Sequence, residues 1–234
     1  LHGILHSFPT RRSSDLRYWE RRQDVASNNL ANVNTTGFKG ERVFARLVAE
    51  GLPVAEASTD FTEGVFSPTG NPLDIAQRGN NYFVVSTPGG ERWTHGGSWS
   101  VDPKGFLADA DGNQLLGEKG PIAVAGKTVE IDRTGWVVVD RVRVDRLRVE
   151  TPAAGAVLQH EGGTRFVPDA GRTVVAVDAR DIRQGHLEGS NVNTLSSLVD
   201  LISIQRNFTD AQKVLSTLDG IRGTIANDLS RVPG

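Results

Sequence analysis

"SNNLANVNTTGFKG", residues 27 to 40, sets four asparagines and two threonines behind an apolar repeat and then stops on Thr36-Gly37-Phe38-Lys39. Reading backwards, Val33, Leu30, Ala26, Gln23 and Trp19 fall at alternating spacings of three and four, and Leu16 continues the series. That alternation draws a narrow stripe on a helix, the pattern of a seam facing a partner helix rather than of a broad core face. Thr36-Gly37 is read as the end of the helix, because glycine adopts the left-handed conformation of a C-terminal cap; Phe38 then follows as an apolar contact. So polar an ending needs a use, and the rest of the chain has to supply it.

The far end of the chain repeats the pattern at greater length. Leu201, Ile204, Phe208, Ala211, Leu215, Leu218, Ile225 and Leu229 keep the three-and-four alternation, with Arg222 as the one polar member, and Asn193 or Thr194 serves as N-cap. A second row, Leu198, Ile202, Val214 and Ile221, widens the apolar face, so this helix is expected to touch more than one neighbour. About 35 residues at 1.5 Å each make a helix of roughly 50 Å, which is expected to protrude. Two seam helices at opposite ends of one chain suggest pairing with each other and with copies in other subunits.

Between them the period changes to two. "NYFVVS", "KTVEIDRTGWVVV", "RVRVDRLRVE" and "RTVVAVD" are β-branched runs, and Pro103-Lys104-Gly105, Asp111-Gly112-Asn113 and Arg133-Thr134-Gly135 are turn signatures. In "RVRVDRLRVE" the apolar phase shifts between Val144 and Leu147, which fits a bulge. The expected fold class is α+β: an antiparallel β domain inserted between N- and C-terminal helices that pair as a coiled-coil-like core. Residues 17–46 are taken as the N-terminal helix and its ending, 47–58 as a connector, 59–186 as the β-rich domain and 187–234 as the C-terminal helix. Residues 1–16 are set aside, because "SFPTRRSSDL", Ser7 to Leu16, reads as the translation of a DNA sequencing adapter; the alternative is a disordered native tail with a basic pair, Arg11 and Arg12.

Composition narrows the function. The 234 residues carry a net charge of −2, no cysteine and no methionine, so thiol catalysis, thiolate metal sites and disulfides have no residues to use, and nothing in the total charge favours nucleic acid or an anionic membrane. No apolar run approaches the roughly 18 residues of a spanning helix, and no secretory signal pattern stands out. His95, His160 and His186 lack metal-ligand spacing; there is no G-x-S-x-G elbow, phosphate loop or dinucleotide fingerprint, and no pair of acids is marked for glycoside hydrolysis. Asp109, Asp111 and Asn113 resemble half of an EF-hand cage but sit in a hairpin-turn context. Arg141, Arg143, Arg146 and Arg148 form a basic stripe without an aromatic platform, which reads as a solvated sheet face.

"RQDVASNNLANVNTTGFKG" closely resembles the N-terminal signature of the bacterial flagellar axial proteins, the rod and hook group. "TGNPLDIAQRGNNYFVV" with the following "TPGGERWTHGGSWSVDPKGFLADADGNQLLGEKGPI" resembles the β core of its rod members, and "GHLEGSNVNTLSSLVDLISIQRNFTDAQKVLSTLD" their C-terminal helix signature. The short length, without a large inserted outer domain, is more like the proximal rod than the hook; the sister protein of the distal rod is less readily separated. Asn80-Asn81 departs from a Gly-Asp-Gly run common there. The resemblance implies a structural subunit of the basal-body rod, not an enzyme, with no cofactor, metal, nucleic acid or small-molecule substrate. It implies export without a cleaved signal peptide through the flagellar type III apparatus, and helical polymerisation with copies of itself and neighbouring rod proteins.

The assembly interface implied in this way comprises Asn28, Asn29, Leu30, Asn32, Asn34, Thr36, Gly37 and Phe38 at one end. At the other it comprises Asn191, Leu201, Gln205, Arg206, Phe208, Leu215 and Leu218. The asparagine amides would donate and accept across packed subunits, or else terminate one helix locally. A different class of function remains beside this one: a secreted β-rich module binding carbohydrate or peptidoglycan through Trp93, Trp99 or Trp136, with the helices as a dimerisation device. Exposed, coplanar tryptophans would favour it.

Overall fold

The computed structural model describes residues 7–47, 53–126 and 128–229. Residues 1–6 of the set-aside tail, 48–52 of the connector and 230–234 lie outside the described residues, as do the side chains of the seam members Arg222, Ile225 and Leu229. The chain divides into two compact units.

The first unit holds helix α1 (Ser7–Ala31), the strands Glu41–Leu47 and Pro53–Thr59, which pair with each other, and helix α2 (Thr194–Leu229). Helix α1 lies against α2 and against the strand Glu41–Leu47. It begins inside the segment set aside, so Ser7–Leu16 is helical. Pro9 stands in its first turn, where a missing N–H forfeits no intrahelical bond. The helix also stops earlier than Thr36-Gly37. Asn32 starts a turn of its own: its carbonyl accepts from Thr35 N at 3.0 Å and its side chain accepts from Thr35 Oγ1 at 3.1 Å. This local competition for hydrogen bonds ends the ladder at Ala31 and leaves Val33 beyond the helix. Gly37, at φ +70°, closes the turn segment instead of the helix. Of the two candidate caps for α2, Asn193 serves: its Oδ1 accepts from Ser196 N at 3.0 Å and its carbonyl takes the Ser197 N–H. The described residues of the stretch read as a connector, Leu47 and 53–58, are strand.

The second unit comprises Asn32–Gly40 and Thr59–Val192. Its centre is the strand Tyr82–Thr87, which pairs antiparallel with Gly90–Thr94, Gln114–Leu115 and Val149–Thr151. The strand is buried on both faces. Phe83 and Val85 enter one core with Ile75, Leu107, Leu115 and Leu147; Tyr82 and Val84 enter another with Trp93 and Phe166. Smaller antiparallel groups surround it: Val129–Ile131, Trp136–Val139 and Val142–Arg146; Ile182–Gln184, Asp74–Gln77 and Gly96–Ser98; and His186–Glu188 with Phe66–Pro68. Register slips between Val137 and Val138, so that Val144 is the extra residue on its strand, the bulge that the shift of apolar phase implied.

One turn device recurs at Asp102-x-x-Gly105, Asp109-x-x-Gly112 and Asp132-x-x-Gly135. Each glycine N–H donates to the aspartate carbonyl, and each aspartate Oδ1 accepts the N–H groups two and four residues on. The glycines sit at φ +85°, +82° and +92°, where a side chain would be strained. Asp109 is thus a turn former, with Arg165 paired to both Asp109 and Asp111 where a cation would have to sit.

The tryptophans do not make a binding platform. Trp93 and Trp99 are buried core residues, and Trp93 Nε1 donates to Glu150 at 2.7 Å. The face of Trp136 is covered by Arg143 and Arg146, 5.0 and 4.4 Å from its ring centroid. Of the basic stripe, Arg148 is paired with Glu91 and Glu150. The ring-binding module loses its motivating feature, since buried aromatic faces have nothing to offer a sugar.

Candidate functional site

The end of the opening stretch folds into the β unit and meets the segment that leads towards α2. Gly37 N donates to the Glu188 carbonyl at 2.7 Å, Asn191 N to the Phe38 carbonyl at 3.3 Å, and Gly40 N to Asn191 Oδ1 at 2.8 Å. Asn191 Nδ2 in turn donates to the carbonyls of Asp60 and Thr62, at 2.7 and 3.1 Å. One side chain therefore ties three pieces of backbone together. Gly64 belongs to the same junction, since an added Cβ there would collide with the Gly189 carbonyl.

A buried ion pair lies inside this junction. Lys39 is 0 % and Glu188 2 % exposed; Lys39 Nζ donates to Glu188 Oε1 at 2.7 Å and to the Thr62 carbonyl at 2.9 Å, and Glu188 Oε1 also accepts from Gly64 N at 2.8 Å. The other carboxylate oxygen, Oε2, faces His95 Nδ1 at 3.5 Å, and His95 is itself 1 % exposed with its ring edge-on to Tyr82. Burial, reinforced by the Lys39 charge, pushes the imidazole down to about 3, so His95 is neutral at physiological pH. Burial, and then Glu188, raises the Tyr82 phenol. Lysine is rarely wholly buried, and a buried pair of this kind holds only while both members are present.

In the helical unit, Asn29 forms a two-point clamp: Nδ2 donates to the Glu41 carbonyl at 2.8 Å and Oδ1 accepts from Glu41 N at 2.9 Å. Both ends of that amide are used within the chain. Asn28 and Asn34 are exposed; Leu30, Asn32 and Thr36 are half-buried; Gly37 and Phe38 are buried, the latter edge-on to His160. Along α2, Leu201, Ile204, Phe208, Ala211, Leu215 and Leu218 are buried or half-buried, whereas Gln205 and Arg206 are exposed. Sequence reading missed Lys39, Glu188 and His95, because single polar residues in "GFKG", "HLEG" and "WTHGG" carry no periodic signal. Among the described residues no group of three or more His, Asp or Glu side chains is placed to hold a metal.

The two segments that join here are also the segments matched by family models. The flagella basal body rod protein model covers residues 20–39, and the model for the C-terminal part of the flagellar basal body rod FlgEFG proteins covers 183–229, so Lys39 and Glu188 fall one in each. Similarity to curated relatives runs through the chain. The Escherichia coli flagellar basal-body rod protein FlgF is 35 % identical over 232 residues, covering 88 % of this chain and 91 % of the relative. The Caulobacter vibrioides FlgF is 28 % identical, covering 91 % and 93 %, and the Agrobacterium fabrum rod protein FlgG is 27 % identical, covering 88 % and 93 %. The chain belongs to the flagellar basal-body rod protein family.

Proposed function

We infer that this chain is a structural, non-catalytic subunit of the flagellar basal-body rod, resident in the basal body and associated with other rod components. In finer terms, α1 and α2 pair in the packed contacts of a helical polymer of this chain and its neighbours. The subunit reaches that place through the flagellar export apparatus.

The observation that carries this reading is the exposure pattern of α2. Among the described residues the seam positions are buried or half-buried, yet Leu195, Leu198, Val199 and Ile202 are 72, 40, 55 and 58 % exposed. At 100° per residue these four form one stripe on the side away from the seam, and Val214 and Ile221 extend the exposed apolar surface along the flank. A single chain leaves this stripe in water, and contiguous exposed apolar surface of this kind marks an interaction face. Rod-family membership makes rod components the partners.

The test is Leu218→Asp as the only copy in the cell. A carboxylate in an apolar seam costs about several kcal/mol without a paired cation, so assembly is expected to fail before folding does. Circular dichroism and melting of the β unit stay near wild type while rods and motility are lost. Ile202→Asp on the exposed stripe is expected to leave the free subunit unchanged and still block assembly. Motile cells with intact rods carrying either variant would refute the reading.

A further inference from the structure

The segment His186–Asn191 reaches back across almost the whole β unit. The Lys39–Glu188 pair joins residues 149 apart, the Gly40–Asn191 bond residues 151 apart, and the Gly64–Glu188 bond residues 124 apart. Contacts this distant in sequence carry the largest loop-closure cost and form after local ones.

Without residues 186–191 the front of the unit keeps the Gly40 carbonyl bond to Asp60 N and the Phe38 contact with His160, but loses the partners that close it. Lys39 would keep only the Thr62 carbonyl, and the amides of Gly37, Gly40 and Gly64 would lose the acceptors that Glu188 and Asn191 supply. A buried ammonium with no counter-ion, and amides at buried Gly37 and Gly40 and half-buried Gly64 with no acceptor, are not a stable arrangement, so the chain around Lys39 remains in water until Glu188 arrives. The central sheet has no such dependence. Tyr82–Thr87 and Gly90–Thr94 pair with each other across a tight turn and draw their buried cores from residues 75–182, with Leu73 and Phe61 packed against them, all outside 186–191.

We propose that Lys39, Glu188 and Asn191 form a closure clasp, which makes folding of the end of the N-terminal rod signature conditional on docking of the segment that leads into α2. Residues 37–40 and 186–191, the end segments of the β unit, then close together, as the last step, on a sheet that is already formed. Lys39 follows the last residue of α1 by eight positions and Glu188 precedes the first of α2 by six, so the clasp lies where the chain enters and leaves the β unit. The device itself is a property of the isolated subunit. Its use, in delaying completion until the whole chain is present, rests on the reading of the protein as a rod subunit.

Hydrogen exchange on the purified, full-length, unassembled protein tests it. In Glu188→Gln, Lys39 keeps its charge and loses its counter-ion; the amides of residues 37–40 and 186–191 are expected to lose protection at least tenfold, while those of 82–87 and 90–94 stay within twofold of wild type. The double variant Lys39→Met/Glu188→Leu removes the charge requirement and is expected to restore protection of both segments. Asn191→Ala is expected to open the same two segments, which keeps the test available should Glu188→Gln fail to fold. Pulse labelling during refolding of the wild type is expected to show 82–87 protected first, and 37–40 and 186–191 together afterwards. Unchanged protection in both single variants, equal opening of the central sheet, no restoration in the double variant, or early protection of either end segment alone would each overturn the clasp. None of these results bears on rod assembly, which is read separately by motility.

Discussion

Asn29→Ala removes both bonds that the amide makes to Glu41, at 2.8 and 2.9 Å. A side-chain bond of this kind contributes about 0.5–1.5 kcal/mol net, and the pair is half-buried, so the combined loss is about 1–3 kcal/mol. The loss is local to the junction of α1 with the strand Glu41–Leu47. The Glu41 amide is therefore the reporter, and each 1.4 kcal/mol appears there as a tenfold change. Its exchange is expected to accelerate between about fivefold and a hundredfold, with the amides of Tyr82–Thr87 unchanged. Asn29→Asp is expected to be worse than alanine: a carboxylate oxygen then faces the Glu41 carbonyl where Nδ2 donated. Motility provides the second readout. An amide spent inside the chain makes Asn29→Ala milder in assembly than Leu218→Asp, and an amide bridging subunits makes it equally damaging. A Glu41 amide that exchanges at the wild-type rate in Asn29→Ala would refute the clamp.

Acid is expected to weaken the β unit through His95. The unfolded chain takes up this proton near 6.5 and the folded chain not until about 3, so the unfolded state binds more protons in between. Stability is fully present above pH 6.5 and falls as pH drops towards 3, by up to about 1.4 kcal/mol per pH unit for this group. Urea melts at pH 7, 5 and 4 check it, and an equal pH slope in His95→Gln would contradict it. The hairpin turn between Trp136–Val139 and Val142–Arg146 holds Asp140 at φ 48° and Arg141 at φ 70°, with Asp140 Oδ1 accepting from Thr128 N. Arg141→Gly relieves left-handed strain and is expected to add up to about 1 kcal/mol, read as a melting temperature roughly 2 to 4 °C higher. Deleting residues 1–16 is expected to leave the melting of the β unit unchanged, because that unit comprises Asn32–Gly40 and Thr59–Val192. A fall of several degrees would show that those residues support it.

The order of the parts is legible along the chain. Spacings of three and four put a helix at each end, because every third or fourth residue shares a face whatever the rest of the chain does. Period-two runs and Asp-x-x-Gly turns put antiparallel strands between them, because a glycine at positive φ and an aspartate capping its own turn act within five residues. Residues 41–58 were illegible, since "ERVFARL" and "PVAEAST" become strands only by pairing with each other. Tertiary structure alone decided what the asparagines and Lys39 do. Asn29 found its partner at Glu41, and Asn191 at Gly40 and Asp60, while Lys39 lies fully buried against Glu188. The physical reason is range. Local propensity and capping are settled by neighbours along the chain, whereas the burial of a charge depends on a counter-charge that only the closed fold brings within 2.7 Å.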